Sequence, residues 1–72
     1  MRYYFHLESE TNIQIDHGGR DFDRHRDALD HAFALARDLG EDEKWLGWSV
    51  RVIDEDNAEV LCVPIFAAIG SE

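Results

Sequence analysis

Four histidines, His6, His17, His25 and His31, are the residues of this sequence that most readily bind metals or move protons. Imidazole with carboxylate ligands holds zinc and related ions, usually with ligands at short, regular spacings. The histidines form no HxH or HxxxH pair, and Asp27 with His31 is the single i,i+4 pair that offers two ligands from one helix face. This spacing predicts no metal site, a surface ion pair between Asp27 and His31, and an exposed His17.

The single cysteine, Cys62, is a second candidate for chemistry. Nucleophilic catalysis requires a thiol or hydroxyl beside a base that a third group orients. Cys62 lies in an apolar segment, where a thiol is more often a small inert hydrophobic group. If the first and last strands are neighbours, His6 approaches Cys62. We predict no catalytic residue, no cofactor and no enzymatic activity.

Three polar segments have the composition of binding loops. The glycines of "DHGG", residues 16–19, permit a turn whose N–H groups could bind an anion, but Asp16 would oppose a phosphate. The acidic runs at residues 41–43 and 54–56 lack the alternating pattern of a calcium loop. The sequence favours a hairpin turn for the first segment and solvated turns for the other two.

Hydrophobic periodicity predicts the elements that position these residues. In "RYYFHL" an alternation of period two puts Tyr3, Phe5 and Leu7 on one side of a strand and Tyr4 and His6 on the other. The polar run "ESETN" then forms a loop, and "IQI" at residues 13–15 forms a short second strand. Together these segments predict a hairpin.

A helix follows, with Asp21 or Asp23 as the expected N-cap. Its apolar stripe consists of Ala28, Leu29, Ala32, Phe33, Leu35, Ala36 and Leu39. Gly40 comes directly after this stripe, in the place where a left-handed residue commonly ends a helix, so the helix is expected to end at about Leu39.

Two more strands are predicted, from Trp48 to about Asp54 and from about Glu59 to Phe66. Pro64 cannot donate to a ladder and indicates a sheet edge or a strand end. The order ββαββ predicts an α+β fold, a four-stranded sheet with one amphipathic helix on one face. Residues 1–72 form a single domain with no linker, and residues 67–72 are expected to be a frayed tail.

The apolar residues divide between the two faces of this sheet. Those expected under the helix are Tyr3, Phe5, Leu7, Trp48, Val50, Val52, Leu61, Val63 and Ile65. The other face is then unusually apolar for a surface that meets only water. Its candidate interface residues are Tyr4, His6, Arg51, Ile53, Val60 and Cys62, beside Ser49. Trp45, in the connector, either closes the end of the core or meets a partner.

These segments, in this order and spacing, resemble a known family. "RYYFHL", "DHGGRDF", "ALDHAFALARDL" and "GWSVRVIDEDNAEVLCVPI" are similar to short proteins, mainly of alphaproteobacteria, that form a domain of unknown function. The resemblance implies a short α/β architecture and brings no functional residue to this sequence. A weaker similarity links the chain to small acidic antitoxins with a partial ribonuclease-H-like fold, although their C-terminal DNA-binding extension is missing.

Charge and composition limit the classes of function. Sixteen acidic residues against seven basic ones give a net charge of −9, which repels nucleic-acid phosphates. The chain has no apolar run long enough for a membrane span and no secretory signal, so we expect a cytoplasmic protein. We predict a protein-interaction module that forms a homodimer through the uncovered sheet face or edge. The alternatives are an antitoxin-like or adaptor protein that binds a basic partner, and a metal- or small-molecule-binding protein.

Overall fold

An antiparallel sheet and one helix make up the computed structural model, which describes residues 1–66. The strands are β1 (Arg2–Glu8), β2 (Ile13–Gln14), β3 (Arg20–Asp21), β4 (Ser49–Asp54) and β5 (Glu59–Pro64). The helix α1 (His25–Leu39) and a short 3-10 helix (Glu43–Trp45) lie between β3 and β4. The predicted α+β class is confirmed. The predicted tail at residues 67–72 lies outside the described residues.

The strand order is β2-β1-β4-β5, and β1 lies inside the sheet. The two short strands β2 and β3 pair with opposite ends of the same edge of β1. Leu7 and Glu8 pair with β2, whereas Arg2 and Tyr3 pair with β3. The sequence did not indicate β3, because two polar residues carry no hydrophobic period.

The core lies between α1 and one face of the sheet. Its buried residues are Tyr3, Phe5, Ala28, Ala32, Ala36, Val50, Val52, Val63 and Ile65, with Leu7, Trp48 and Leu61 packed against them. The residues predicted to lie under the helix are therefore all found there. The helix side of this core is built from three alanines spaced four residues apart, which bring the helix axis close to the sheet.

The start of the helix differs from the prediction. The N-cap residue is Arg24, and no side chain caps the first turn. Neither Asp21 nor Asp23 holds this position. Asp21 instead pairs with Arg2, whose Nη2 lies 3.0 Å from Asp21 Oδ2. The helix ends at Leu39 as predicted, and Phe33, placed in the apolar stripe, is 55% exposed.

Gly40 is glycine for a different reason from the predicted one. Its φ of −65° is right-handed, so no left-handed cap is present. A Cβ at this position would collide with the backbone carbonyl of Phe66. The close approach of the chain after β5 to the end of α1 therefore requires a residue without a side chain.

A register shift between Val52 and Ile53 changes one predicted position. Val52 pairs with Leu61 and Ile53 with Glu59, so Val60 has no partner of its own in the ladder. An extra residue of this kind is a β-bulge, which redirects side chains. Val60 packs against the buried cluster, and Glu59 takes its expected place beside Arg51 on the other face. The assignment of Val60 to the uncovered face was wrong.

Within residues 1–66, the helices are too short and too polar to cross a lipid bilayer.

Candidate functional site on the uncovered sheet face

The sheet face opposite α1 has a central row of three side chains on adjacent strands. His6 pairs with Arg51, and Arg51 pairs with Cys62. Neighbouring strands lie about 4.8 Å apart, so roughly 9–10 Å of sheet separates His6 from Cys62. The first and last long strands are therefore not neighbours, and the condition for a cysteine–histidine pair is not met.

Arg51 connects the two sides of this face. Its Nη2 donates to Glu8 Oε2 at 3.0 Å, and its Nη1 lies 3.5 Å from Glu59 Oε1. The buried Nε also lies 3.0 Å from Glu8 Oε1, but its direction does not make a hydrogen bond. All three side chains are partly exposed, so the pairs stabilise the fold little. Their main effect is to compensate the cation at the centre of the face, where one cation and two carboxylates leave a net charge of −1.

A single carboxylate, Asp16, holds the chain that follows β2 against β1. Asp16 Oδ2 accepts the backbone N–H of Phe5 at 3.1 Å, and Oδ1 accepts that of Gly19 at 3.1 Å. The Asp16 N–H in turn donates to His6 Nδ1 at 3.0 Å. These bonds lie in the gap between β2 and β3, where Asp16 replaces the missing strand partner of Phe5.

The "DHGG" turn covers the Tyr4 and His6 end of the face. Gly19 has a φ of +67°, and a Cβ there would lie 2.8 Å from the Tyr4 ring and 2.9 Å from the Arg2 side chain. Because His6 Nδ1 accepts a hydrogen bond, the ring proton of neutral His6 is on Nε2. Tyr4 and His6 are half-buried for this reason, since the chain's own turn packs over them.

The anion that this turn binds is part of the chain. The turn does direct N–H groups at an anion, as its glycines allow, and that anion is the Asp16 carboxylate. Burial alone would raise the pKa of Asp16, but the hydrogen bonds from Phe5 and Gly19 outweigh it and hold the pKa below its ordinary 3.8. The ionised carboxylate therefore stabilises the turn at pH values above its ordinary pKa of 3.8. This stabilisation is lost as the pH falls through the lower pKa of the folded state.

The rest of the face is open. Cys62 is exposed and Ile53 is half-buried. Ile13 pairs with Glu8, so it extends the same face, and it is 51% exposed. Ile15, two residues further along, is 46% exposed. An apolar margin therefore surrounds the paired Arg51.

Trp45 lies away from this face. Its ring meets that of Trp48 edge to face, with 5.1 Å between the centroids, and both rings pack against the core. Lys44 Nζ lies 5.4 Å from the Trp45 ring centre. Of the two positions that the sequence left open, the structure shows Trp45 at the end of the core.

The remaining histidines do not form a metal centre. His31 packs against Phe5 and Phe22, at centroid distances of 4.8 and 5.5 Å, and no ion pair joins it to Asp27 in the described part of the chain. His25 Nδ1 lies 3.3 Å from the Tyr3 hydroxyl. Among residues 1–66, no group of three potential ligands could hold a metal ion.

The acidic turns bind their own backbone. Asp54 Oδ1 accepts the N–H groups of Asp56 and Ala58 at 2.9 and 3.0 Å. Asp42 Oδ1 accepts that of Lys44 at 3.2 Å and caps the 3-10 helix. These carboxylates act as turn-forming residues, in agreement with the expected solvated turns.

A family model described as a domain of unknown function, DUF6894, matches residues 2–67. The chain belongs to this family. The resemblance seen in the sequence to an uncharacterised domain family is thereby confirmed. No curated protein and no solved structure gives a significant match.

In this DUF6894 domain, the site residue that sequence reasoning missed is Asp16. The sequence placed it in a turn and treated it as an obstacle to anion binding. The sequence pattern that could have indicated its role is an Asp followed three residues later by a Gly, Asp16 and Gly19. At this spacing a carboxylate can accept a backbone N–H of the turn. The hydrogen bonds between Asp16 and the β1 residues Phe5 and His6 depend on a tertiary contact, which the local spacing does not predict.

The DUF6894 domain is expected to lose stability in mild acid because of His31. Burial, with a smaller effect of Arg20, holds the pKa of His31 below its ordinary 6.5. The unfolded chain therefore binds more protons, and the free energy of unfolding falls as pH drops from about 6.5 towards the folded-state pKa. Urea unfolding between pH 5 and 8 measures this slope.

The variant His31→Gln should flatten the slope, whereas His17→Gln, at an exposed position, should leave it unchanged. If the wild type and His31→Gln had equal slopes, His31 would not be the cause of the loss of stability in mild acid.

Proposed function

We propose that this domain is a non-enzymatic protein-interaction module that forms a homodimer through the open part of its uncovered sheet face. The single α-helix packs on one face only, so among residues 1–66 the other face is covered only at its Tyr4 and His6 end, by the "DHGG" turn. The observation that carries the proposal is the apolar margin of that face, formed by Ile13, Ile15, Ile53 and Cys62 around the paired Arg51. Apolar surface of this kind favours association.

The charge arrangement at Arg51 supports burial of this face. Bringing an unpaired cation into an interface costs several kcal/mol. Here Glu8 and Glu59 already pair with the guanidinium within one chain, so docking buries no unpaired cation, and one cation with two carboxylates leaves a net charge of −1. The same patch on two copies makes a symmetric contact, which is the commonest form of homodimer.

The free edge of β5 supports a face contact over an edge contact. The Ile65 N–H donates to the Trp48 carbonyl at 2.8 Å. Because donors alternate in an antiparallel strand, Val63 also faces β4, whereas Cys62 and Pro64 face outwards. Pro64 has no N–H, so it interrupts the outward row of donors and weakens pairing with another strand.

We expect Ile53→Asp and Ile13→Asp to abolish self-association. Each variant adds a charge that must lose its water when the face is buried, which raises the dissociation constant at least tenfold. Sedimentation velocity from micromolar to millimolar concentrations measures the change. Ile13 is the better position for separating association from folding, because it is exposed in the single chain.

The matched control is Phe33→Asp, which changes an equally exposed apolar residue on the helix. It should leave the dimer unchanged. Added salt should strengthen the dimer, because each copy carries a charge of −9 that ions screen. A wild-type chain that stays monomeric at millimolar concentration in high salt would contradict the proposal.

A second candidate, capture of a basic protein, has its own support. The ion pairs of residues 1–66 involve only Glu8, Asp21 and Glu59 of the many carboxylates. The rest of the acidic surface attracts a basic partner and speeds its association. Such a complex weakens as salt is added, the opposite of the homodimer, so one salt series distinguishes the two functions.

A further inference from the structure

We propose that residues 9–21 form a strap, held closed by Asp16, whose opening exposes Tyr4, His6 and the edge of β1. The strap comprises the loop after β1, the strand β2, the "DHGG" turn and β3.

The strap is joined to the sheet by little ladder structure. The strands β2 and β3 are each two residues long, and each pairs with one end of β1. The central strand pair of the fold, β1 with β4, has six paired positions. Regions with few ladder bonds and much exposed backbone open at lower free energy than the core.

The strap also buries little apolar surface. Ile13 and Ile15 are 51% and 46% exposed, so they do not anchor it. A cleft of about 390 Å³ is lined by residues 8–13 and Arg51, which leaves one side of the loop free of packing. The first anchored residue is Phe22, just after the strap, whose ring meets those of Tyr3 and Phe5 at 6.0 Å. Opening therefore ends before the aromatic core.

Asp16 is the link in the middle of the strap. Its carboxylate bonds the N–H of Phe5 to the strap's own turn, and its N–H bonds to His6. Charge-assisted hydrogen bonds of this type are stronger than neutral ones. A second link lies at the β3 end, where Arg2 binds the Gly18 carbonyl and the Asp21 carboxylate.

Opening would change the composition of the uncovered sheet face. Tyr4 pairs with Ile53 and His6 with Arg51, so both are continuous with the open part of the face. The turn that now covers them packs through Gly19 on the Tyr4 ring. Removing it exposes this aromatic side chain and frees the backbone edge of β1, while Ile13 and Ile15 leave the face with the strap.

The variant Asp16→Asn tests the strap, with Asp54→Asn as its matched control. Asp54 also accepts two backbone N–H groups in an exposed turn, but it lies outside the strap. We expect Asp16→Asn to speed hydrogen exchange of the Phe5, Gln14 and Gly19 amides about tenfold, and Asp54→Asn to leave them unchanged. Amides of α1 and β4 should keep their wild-type rates. Unchanged strap amides, or equal acceleration of α1 and β4, would overturn the proposal.

Discussion

Replacing Ala32 with leucine is expected to destabilise the fold more than any surface change. Ala32 has no exposed area and lies on the side of α1 that faces the sheet, between Ala28 and Ala36 in the row of three buried alanines. Extra methyl groups in a packed core cost about 1–3 kcal/mol or more. The whole fold of 72 residues has roughly 4–11 kcal/mol, taking about 0.05–0.15 per residue. Urea unfolding should show a lower midpoint with an unchanged slope.

The control for this prediction is Ala34→Leu, on the same helix but on its half-exposed side. Its effect should be within about 0.5 kcal/mol of the wild type, because surface substitutions away from special features are nearly neutral. If Ala32→Leu were as stable as Ala34→Leu, the helix and the sheet would not be in close contact at Ala32.

The second large effect is expected for Gly40→Ala. The helix propensity of alanine by itself would favour this change, since Gly40 has a right-handed backbone. The new methyl group would meet the Phe66 carbonyl, which is backbone and does not rotate away. We therefore expect a loss of about 1–3 kcal/mol, measured as a Tm lowered by about 4–8 °C per kcal/mol.

Gly18→Ala is the matched control for Gly40→Ala. A Cβ at Gly18 meets nothing within 4 Å. This variant should be neutral or slightly more stable, because alanine restricts the unfolded chain. A stabilising Gly40→Ala would show that the contact between the end of α1 and the chain after β5 does not form in solution.

Much of the fold could be predicted because each long element has its own period. The alternation in β1 separates Tyr3 and Phe5 from Tyr4 and His6, and this division holds in the structure. The alanines of α1 recur every four residues, so the buried side of the helix could be identified as well. Both patterns are local, and burial selects them wherever one face meets a core.

The helix start was predicted wrongly because the same side chain can cap a helix or pair with a distant residue. Asp21 is a suitable cap by residue type, but its carboxylate pairs with Arg2, which lies nineteen residues earlier in the chain. His31 with Asp27 has the spacing of an ion pair, yet its ring packs between two phenylalanines. In both cases a residue that is distant in the sequence competes with the local partner. The local sequence pattern does not show that this distant residue lies nearby in the folded chain.

The sequence by itself determined the α+β class, the long strands, the helix end at Leu39 and most residues of the core. These follow from hydrophobic periodicity, which depends only on neighbours along the chain. The tertiary structure decided the strand order, and with it the placement of Arg51 between His6 and Cys62. It also decided that the chain covers Tyr4 and His6 with its own turn. Hydrophobic periodicity is a local pattern, so it does not predict which distant strands pair. For the same reason it does not predict that the Asp16 carboxylate bonds to β1.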